Sequence, residues 1–218
     1  MGNLNIEYIK VGILSTNCYF IWDDDYPCET IIIDPGGDFE IIINFLKNHN
    51  LVPKYIINTH GHADHIICND GIKKIFADVK VLIGEKDKDC LFLPEKNLSN
   101  MIGLNIKLEN PDILLNEKKI ISFQKNHNFK VLETPGHSEG SICLILDDKY
   151  LFSGDTLFKE SVGRTDFPYS SSKDLFNSLE KLKSLDKNYI VYPGHGEKTT
   201  LDYEKKNNPY FNNFFNEY

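Results

Sequence analysis

No apolar run in this chain approaches the roughly 20 residues that cross a bilayer. Its first residues, Met1-Gly2-Asn3-Leu4-Asn5-Ile6, carry neither the basic flank nor the apolar core of a secretory signal, and Ile6 breaks the N-myristoylation pattern. The expectation is a cytoplasmic or organellar-matrix protein without membrane attachment. Positive charge is also short, with 24 Lys+Arg against 32 Asp+Glu and a net charge of -8. Such a surface repels phosphate backbones, which argues against general nucleic-acid binding. Cysteine comes as five scattered residues, Cys18, Cys28, Cys68, Cys90 and Cys143, without Cys-x-x-Cys spacing and in an odd number that cannot pair fully within one chain. A reducing compartment suits them. What remains is ordinary for a folded protein: 41% hydrophobic and 26% charged residues over 218 positions, enough for a sizeable core and read as one domain spanning 1–218.

Short β-branched and aromatic runs separated by turn formers open the chain, and residues 6–14, 18–22 and 29–33 read as consecutive strands. The third ends in Asp34-Pro35-Gly36-Gly37, after which Asp38 is placed to cap a helix carrying Ile41, Ile42, Phe45 and Leu46. A strand over 54–58 follows, then an amphipathic helix around 66–76, a strand over 79–83 and a short helix from Glu85. Strand-helix-strand repetition predicts a layered α/β protein. Residues 94–111, Asn-rich and weakly periodic, read as an excursion. Beyond them the theme returns, with strands over 119–123, 129–133, 141–146, 149–152 and 189–192 and a helix over 172–182. Thr199 with Asp202 forms a capping box for a closing helix.

One stretch stands apart from this alternation. Thr59-His60-Gly61-His62-Ala63-Asp64-His65 crowds imidazole and carboxylate, usual ligands of zinc, iron and manganese, at one strand end. Three later turns repeat the arrangement of strand, glycine and donor, giving Pro135-Gly136-His137, Gly154-Asp155 and Pro193-Gly194-His195. Any one of these histidines alone is an ordinary turn residue. Five of the 7 histidines in such turns is a joint pattern that packing and solubility do not produce. His49, at a helix end, and His127, in the polar run 124–128, are assigned no metal role. The candidate ligands are His60, His62, Asp64, His65, His137, Asp155 and His195, too many for one tetrahedral ion and suited to two metals sharing a carboxylate.

Thr-His-x-His-x-Asp-His followed by distant Gly-His, Gly-Asp and Gly-His resembles the metallo-β-lactamase superfamily. The resemblance implies a four-layer αββα sandwich, two mixed sheets flanked by helices, with metals at one edge. Ser153-Gly154-Asp155-Thr156-Leu157-Phe158, Gly163-Arg164-Thr165-Asp166-Phe167-Pro168 and Pro193-Gly194-His195-Gly196 are similar to its glyoxalase II-like hydrolases. By motif match, His60, His62 and His137 are implied to hold a first metal and Asp64, His65 and His195 a second, with Asp155 bridging them. Zinc is expected, with iron or manganese as alternatives. The resemblance further implies that Asp34 orients a ligating histidine, that Asp64 and Asp155 serve catalysis, and that Arg164 contacts substrate. An ion pair with Asp166 or Asp155 is the competing role for Arg164.

The reaction implied is attack of a metal-bridging hydroxide on a small-molecule thioester such as lactoylglutathione. Two departures bear on the substrate. Few residues follow His195, where the longer glyoxalase II enzymes carry an appended helical domain, and Asp166 stands where those enzymes offer tyrosine. The Gly-Arg-Thr-Asp-Phe loop also resembles the iron-dependent persulfide dioxygenases, in which two of His60, His62 and His137 would join Asp155 around one iron. A non-catalytic, metal-stabilised binding module is the remaining alternative. The paired lysines at 73–74, 118–119 and 205–206 read as solvated faces. Tyr210, Phe211, Phe214, Phe215 and Tyr218 read as docked against the body, with a homo-oligomer as the alternative.

Overall fold

The first half of the chain lays down β1 (Leu4–Val11), β2 (Thr16–Asp23), β3 (Thr30–Ile33), α1 (Phe39–Asn48), β4 (Pro53–Asn58), α2 (Ala63–Ile66), α3 (Asn69–Ile75), β5 (Lys80–Gly84) and β6 (Ile113–Leu115). The second supplies β7 (Ile120–Phe123), β8 (His127–Glu133), β9 (Ile142–Leu146), β10 (Tyr150–Gly154), β11 (Leu157–Phe158), β12 (Ser161–Val162), α4 (Ser172–Lys183), β13 (Ile190–Pro193), β14 (Thr199–Thr200), α5 (Leu201–Asn207) and α6 (Pro209–Asn212). This computed structural model describes residues 3–124 and 127–212. One 6-stranded sheet has the order β1-β2-β3-β4-β5-β6, the other β14-β13-β10-β9-β8-β7, and β11 and β12 form a small hairpin. Both large sheets mix parallel and antiparallel pairs.

Strands covered on both faces carry near-continuous apolar runs, and the period of two assigns each side chain to a face. In the first sheet Phe20, Trp22 and Ile32 pack with Ile42, Ile43 and Leu46 of α1, while Tyr19, Ile21, Ile31 and Ile33 enter the seam between the sheets. Phe129, Val131, Leu144 and Phe152 fill that seam from the other side. On the outer face of the second sheet, Cys143, Ile145, Leu151 and Val191 meet Leu175, Leu179 and Leu182 of α4 and Leu201 of α5. The layers run helix, sheet, sheet, helix, as expected. Among the described residues, no helix is long and apolar enough to cross a membrane.

The departures from expectation are local. The helix expected around 66–76 is broken into α2 and α3, because Cys68 N donates to Pro35 O at 3.1 Å instead of continuing the helical ladder. Asp38 sits at the N-cap of α1 with φ 48 and makes no side-chain cap; that left-handed backbone turns its carboxylate to Gly12 N, 2.8 Å away. The closing helix is capped one residue later than expected: Thr200 Oγ1 accepts from Tyr203 N, while Thr199 lies in β14 and donates to Glu204 Oε1 at 2.6 Å. Strand β6 was not foreseen. His49 stacks on Phe45 with ring centres 4.2 Å apart, and His127 pairs with Asp147 at 2.5 Å, so both serve packing and surface pairing. Of the terminal aromatics, Phe211 is buried among the residues around α4 and Tyr210 is 40% exposed. Phe214, Phe215 and Tyr218 lie outside the described residues.

Candidate metal centre

Topology collects the donors before any side chain is considered. Strands β3 and β4 are parallel, so Asp34 and His60 leave the first sheet at one edge. In the second sheet β10 is parallel to β13, and β8 runs the same way because β9 is antiparallel to both β8 and β10. The turns after β8, β10 and β13 therefore emerge together, at the carboxyl ends where α/β sheets bind ligands.

Two triads result, His60, His62 and His137, and Asp64, His65 and His195, with His60, His65 and Asp155 as a third group spanning them, the donor atoms of each lying within 4.8 Å of one another. Each triad draws ligands from both sheets. Within the first, His60 Nε2 is 3.0 Å from His62 Nδ1, and the rings of His62 and His137 are centred 4.6 Å apart. Within the second, Asp64 Oδ2 lies 3.4 Å from His65 Nε2 and 3.3 Å from His195 Nε2. Asp155 stands between them. Its Oδ2 is 3.5 Å from Nε2 of both His137 and His195, and its Oδ1 is 3.6 Å from His65 Nε2.

Contacts on the far side of four of the five rings set which nitrogen faces inward. Arg164 O takes the Nδ1–H of His137 at 2.8 Å, and Leu14 O takes that of His195 at 3.1 Å. Thr59 Oγ1 donates to Asp34 Oδ2 at 2.7 Å, so it accepts from His60 Nδ1 at 3.2 Å. Asp34 Oδ2 also lies 3.0 Å from His65 Nδ1, the position expected of a carboxylate that orients a ligating histidine. The Nε2 atoms of these four histidines thus face inward. His137 Nε2 and Asp155 Oδ1 are buried without a hydrogen-bond partner, a costly state that coordination relieves, so the donor set fits a pair of divalent ions. Gly194 makes the convergence possible, since a Cβ there would fall 2.2 Å from Asp155 Oδ1 and 2.9 Å from His65 Cε1.

Charge is distributed unevenly over the cluster. Burial and the neighbouring imidazoles hold His60 and His62 well below the ordinary histidine range, so both stay neutral. For His65 burial opposes the charge, but the carboxylates of Asp64, Asp155 and Asp34 outweigh it and raise the pKa to about 10. Burial likewise opposes ionisation of Asp64, and His65 with His195 overcomes it and lowers the pKa. Metals take neutral imidazole, so an incoming ion must displace the His65 proton, and metal affinity will rise with pH until His65 titrates at about 10. Calorimetric zinc titrations in two buffers of different ionisation enthalpy will read the released protons. Identical heats in both would exclude a protonated His65.

The structure adds one buried carboxylate that the sequence reading passed over. Asp87 is 1% exposed and accepts from Gly61 N at 2.9 Å, Gly140 N at 2.6 Å and Ser138 Oγ at 2.6 Å. It ties the His60-Gly61-His62 turn to the turn that carries His137. Arg164 lies at the mouth, its guanidinium paired twice with Asp166 at 2.9 and 2.7 Å and stacked 4.4 Å over Phe167. The donors open into a cavity of about 620 Å³.

Residues 11–195 match the family model described as the metallo-beta-lactamase superfamily. The chain is 39% identical over 214 residues to hydroxyacylglutathione hydrolase GloC of Haemophilus influenzae, covering 96% of this chain and 99% of that one. The crystal structure of the BLEG-1 B3 metallo-beta-lactamase superposes with a TM-score of 0.89 at 36% identity, over 95% of this chain and 100% of that one. That of TTHA1623 in a di-iron-bound form gives 0.82 at 33% identity, over 94% and 99%. Fold, converging donors and near full-length similarity agree, and the chain belongs to the metallo-β-lactamase superfamily.

Proposed function

We propose that the protein is a metal-dependent hydrolase of thioesters, with S-acylglutathiones such as lactoylglutathione as the substrate class. The observation that carries the reading is Asp155, placed within 3.6 Å of histidines of both triads at the floor of a substrate-sized cavity. Similarity to a hydroxyacylglutathione hydrolase over nearly the whole chain supports the substrate class. In this reading His60, His62 and His137 hold one divalent ion, Asp64, His65 and His195 the other, and Asp155 both. Such a pair supplies a water acidic enough to attack a carbonyl at neutral pH and positive charge for the resulting oxyanion.

The chain's own residues do the positioning. Asp34, Leu14 O and Arg164 O fix the ring orientations of His65, His195 and His137. The thiolate leaves with little need of a proton, so the absence of a separate general acid among the cavity residues is consistent with a thioester. Chelator treatment will abolish thiol release from lactoylglutathione, and zinc, iron or manganese will restore it. A metal-loaded protein that cleaves no acylated glutathione or coenzyme A thioester would falsify the proposal.

One pair of observations favours a second reading, an iron-dependent persulfide dioxygenase. The Gly163-Arg164-Thr165-Asp166-Phe167 loop borders the cavity, and a relative is known in a di-iron-bound form. Oxygen uptake by the iron-loaded protein with glutathione persulfide separates the two; no uptake removes this reading.

A further inference from the structure

The cavity beside the metal ligands is walled by Leu14, Leu98, Met101, Ile102, Phe158 and Phe167. Scattered apolar side chains at a surface need no explanation, but Leu14, Met101 and Ile102, 52%, 62% and 46% exposed, line one cavity. Their loops are tied to ligand-bearing backbone. Leu14 O accepts from His195, and Ala63 N, between His62 and Asp64, donates to Asn97 O at 2.8 Å. The buried Asn97 amide then pins its own loop through Cys90 O at 2.8 Å and Ile106 O at 3.0 Å. The wall is therefore preformed.

Cationic groups are scarce where a charged thiol carrier would lie. Apart from histidine, Arg164 is the one cation among the residues lining the cavity, and Asp166 already holds it through two hydrogen bonds. Asp64 and Asp155 line the same space with the opposite sign. Carboxylates of a carrier such as glutathione meet no free partner among these lining residues, whereas an alkyl chain meets apolar side chains that line the same cavity.

Resting on the thioesterase reading, we infer that the protein selects its substrate by an apolar acyl chain laid against Leu14, Met101 and Ile102, with the thiol carrier contributing little. Lactoyl thioesters are then still cleaved, but more slowly than those of longer unsubstituted acyl chains, because a hydroxyl and a short chain cover little of this wall. Burying each methylene should raise kcat/KM about threefold.

Two series on the metal-loaded protein test this. In the first, kcat/KM is measured for acetyl, butyryl, hexanoyl and lactoyl thioesters of glutathione and of N-acetylcysteamine, an uncharged carrier. The expected result is a rise of about threefold per methylene as far as hexanoyl, with the two carriers within about tenfold of each other. A flat or falling series, or an uncharged carrier worse by more than about tenfold, overturns the inference and leaves thioester hydrolysis standing. If no thioester is cleaved, the thioesterase reading fails and takes the inference with it. In the second series S-methylglutathione and S-hexylglutathione, which cannot be hydrolysed, are titrated calorimetrically. Hexyl, longer by five methylenes, should bind about 100-fold tighter or more, and Met101→Asp should erase that advantage. Equal affinities, or an advantage that survives the substitution, overturn the inference.

Discussion

If the proposed hydrolase reading holds, Asp155→Asn will lower turnover by roughly 10³-fold, about 4 kcal/mol of transition-state stabilisation, in a protein that still folds. Asparagine keeps the shape of aspartate but replaces one carboxylate oxygen with an amide that donates. At this position both oxygens matter, since Oδ2 lies 3.5 Å from His137 and His195 while Oδ1 lies 3.6 Å from His65. The variant can serve one triad with its remaining oxygen, so metal content should fall towards one ion per chain. The packing around it is unaltered, because Gly194 already gives this side chain its space. Turnover, elemental analysis and circular dichroism on the same preparation check the prediction. Undiminished turnover in a folded variant would remove Asp155 from the reaction and favour a binding module.

Asp87→Ala is the second large effect, and it acts on the scaffold. The substitution strips the partner from Gly61 N and Gly140 N at once, and one of two from Ser138 Oγ, which keeps Ser141 Oγ at 2.6 Å, in a site with almost no access to water. Each buried donor left unmade costs about 1–3 kcal/mol, and removal of the buried carboxylate returns part of it, so a loss of about 3–5 kcal/mol is expected. That is a large share of the roughly 5–15 kcal/mol that hold an ordinary domain together. Because Asp87 links the His60-Gly61-His62 turn to the His137 turn, metal affinity should fall as well, by about 10–100-fold. Urea midpoints of the metal-free protein separate the stability effect from the affinity effect. A variant with an unchanged midpoint would mean that water replaces the carboxylate.

The two halves of this result were unequally visible in the sequence. The candidate donor turns were legible because their signal is compositional: a donor directly after a glycine and an apolar strand, at four places, survives without knowledge of tertiary contacts. Strand order was not, and it is what brings the turns after β4, β8, β10 and β13 to one edge. Asp87 was hidden because Glu85-Lys86-Asp87-Lys88-Asp89 offered only the start of a short helix, and burial of its middle residue depends on Gly61 and Gly140 approaching from elsewhere in the chain. Asp38 and Thr199 show the limit of capping rules. Each stood at or beside a helix N-cap, yet backbone angle at the first and strand pairing at the second sent their side chains to other partners. The apolar wall of the cavity lies partly in residues 94–111, whose weak periodicity left only an excursion to be read.

That each triad takes ligands from both sheets has a consequence for the order of folding. Local metal motifs, whose ligands are close in sequence, can bind early and template the chain around them. Here His137 and His195 reach the first-half ligands only after a long loop has closed and the two sheets have docked. An ion cannot nucleate that assembly, because no complete triad exists in either half alone. Once in place it acts as a rivet across the sandwich, since the sheets cannot part without releasing it. Metal loading should therefore slow unfolding far more than it speeds folding, lengthening the lifetime of the folded chain.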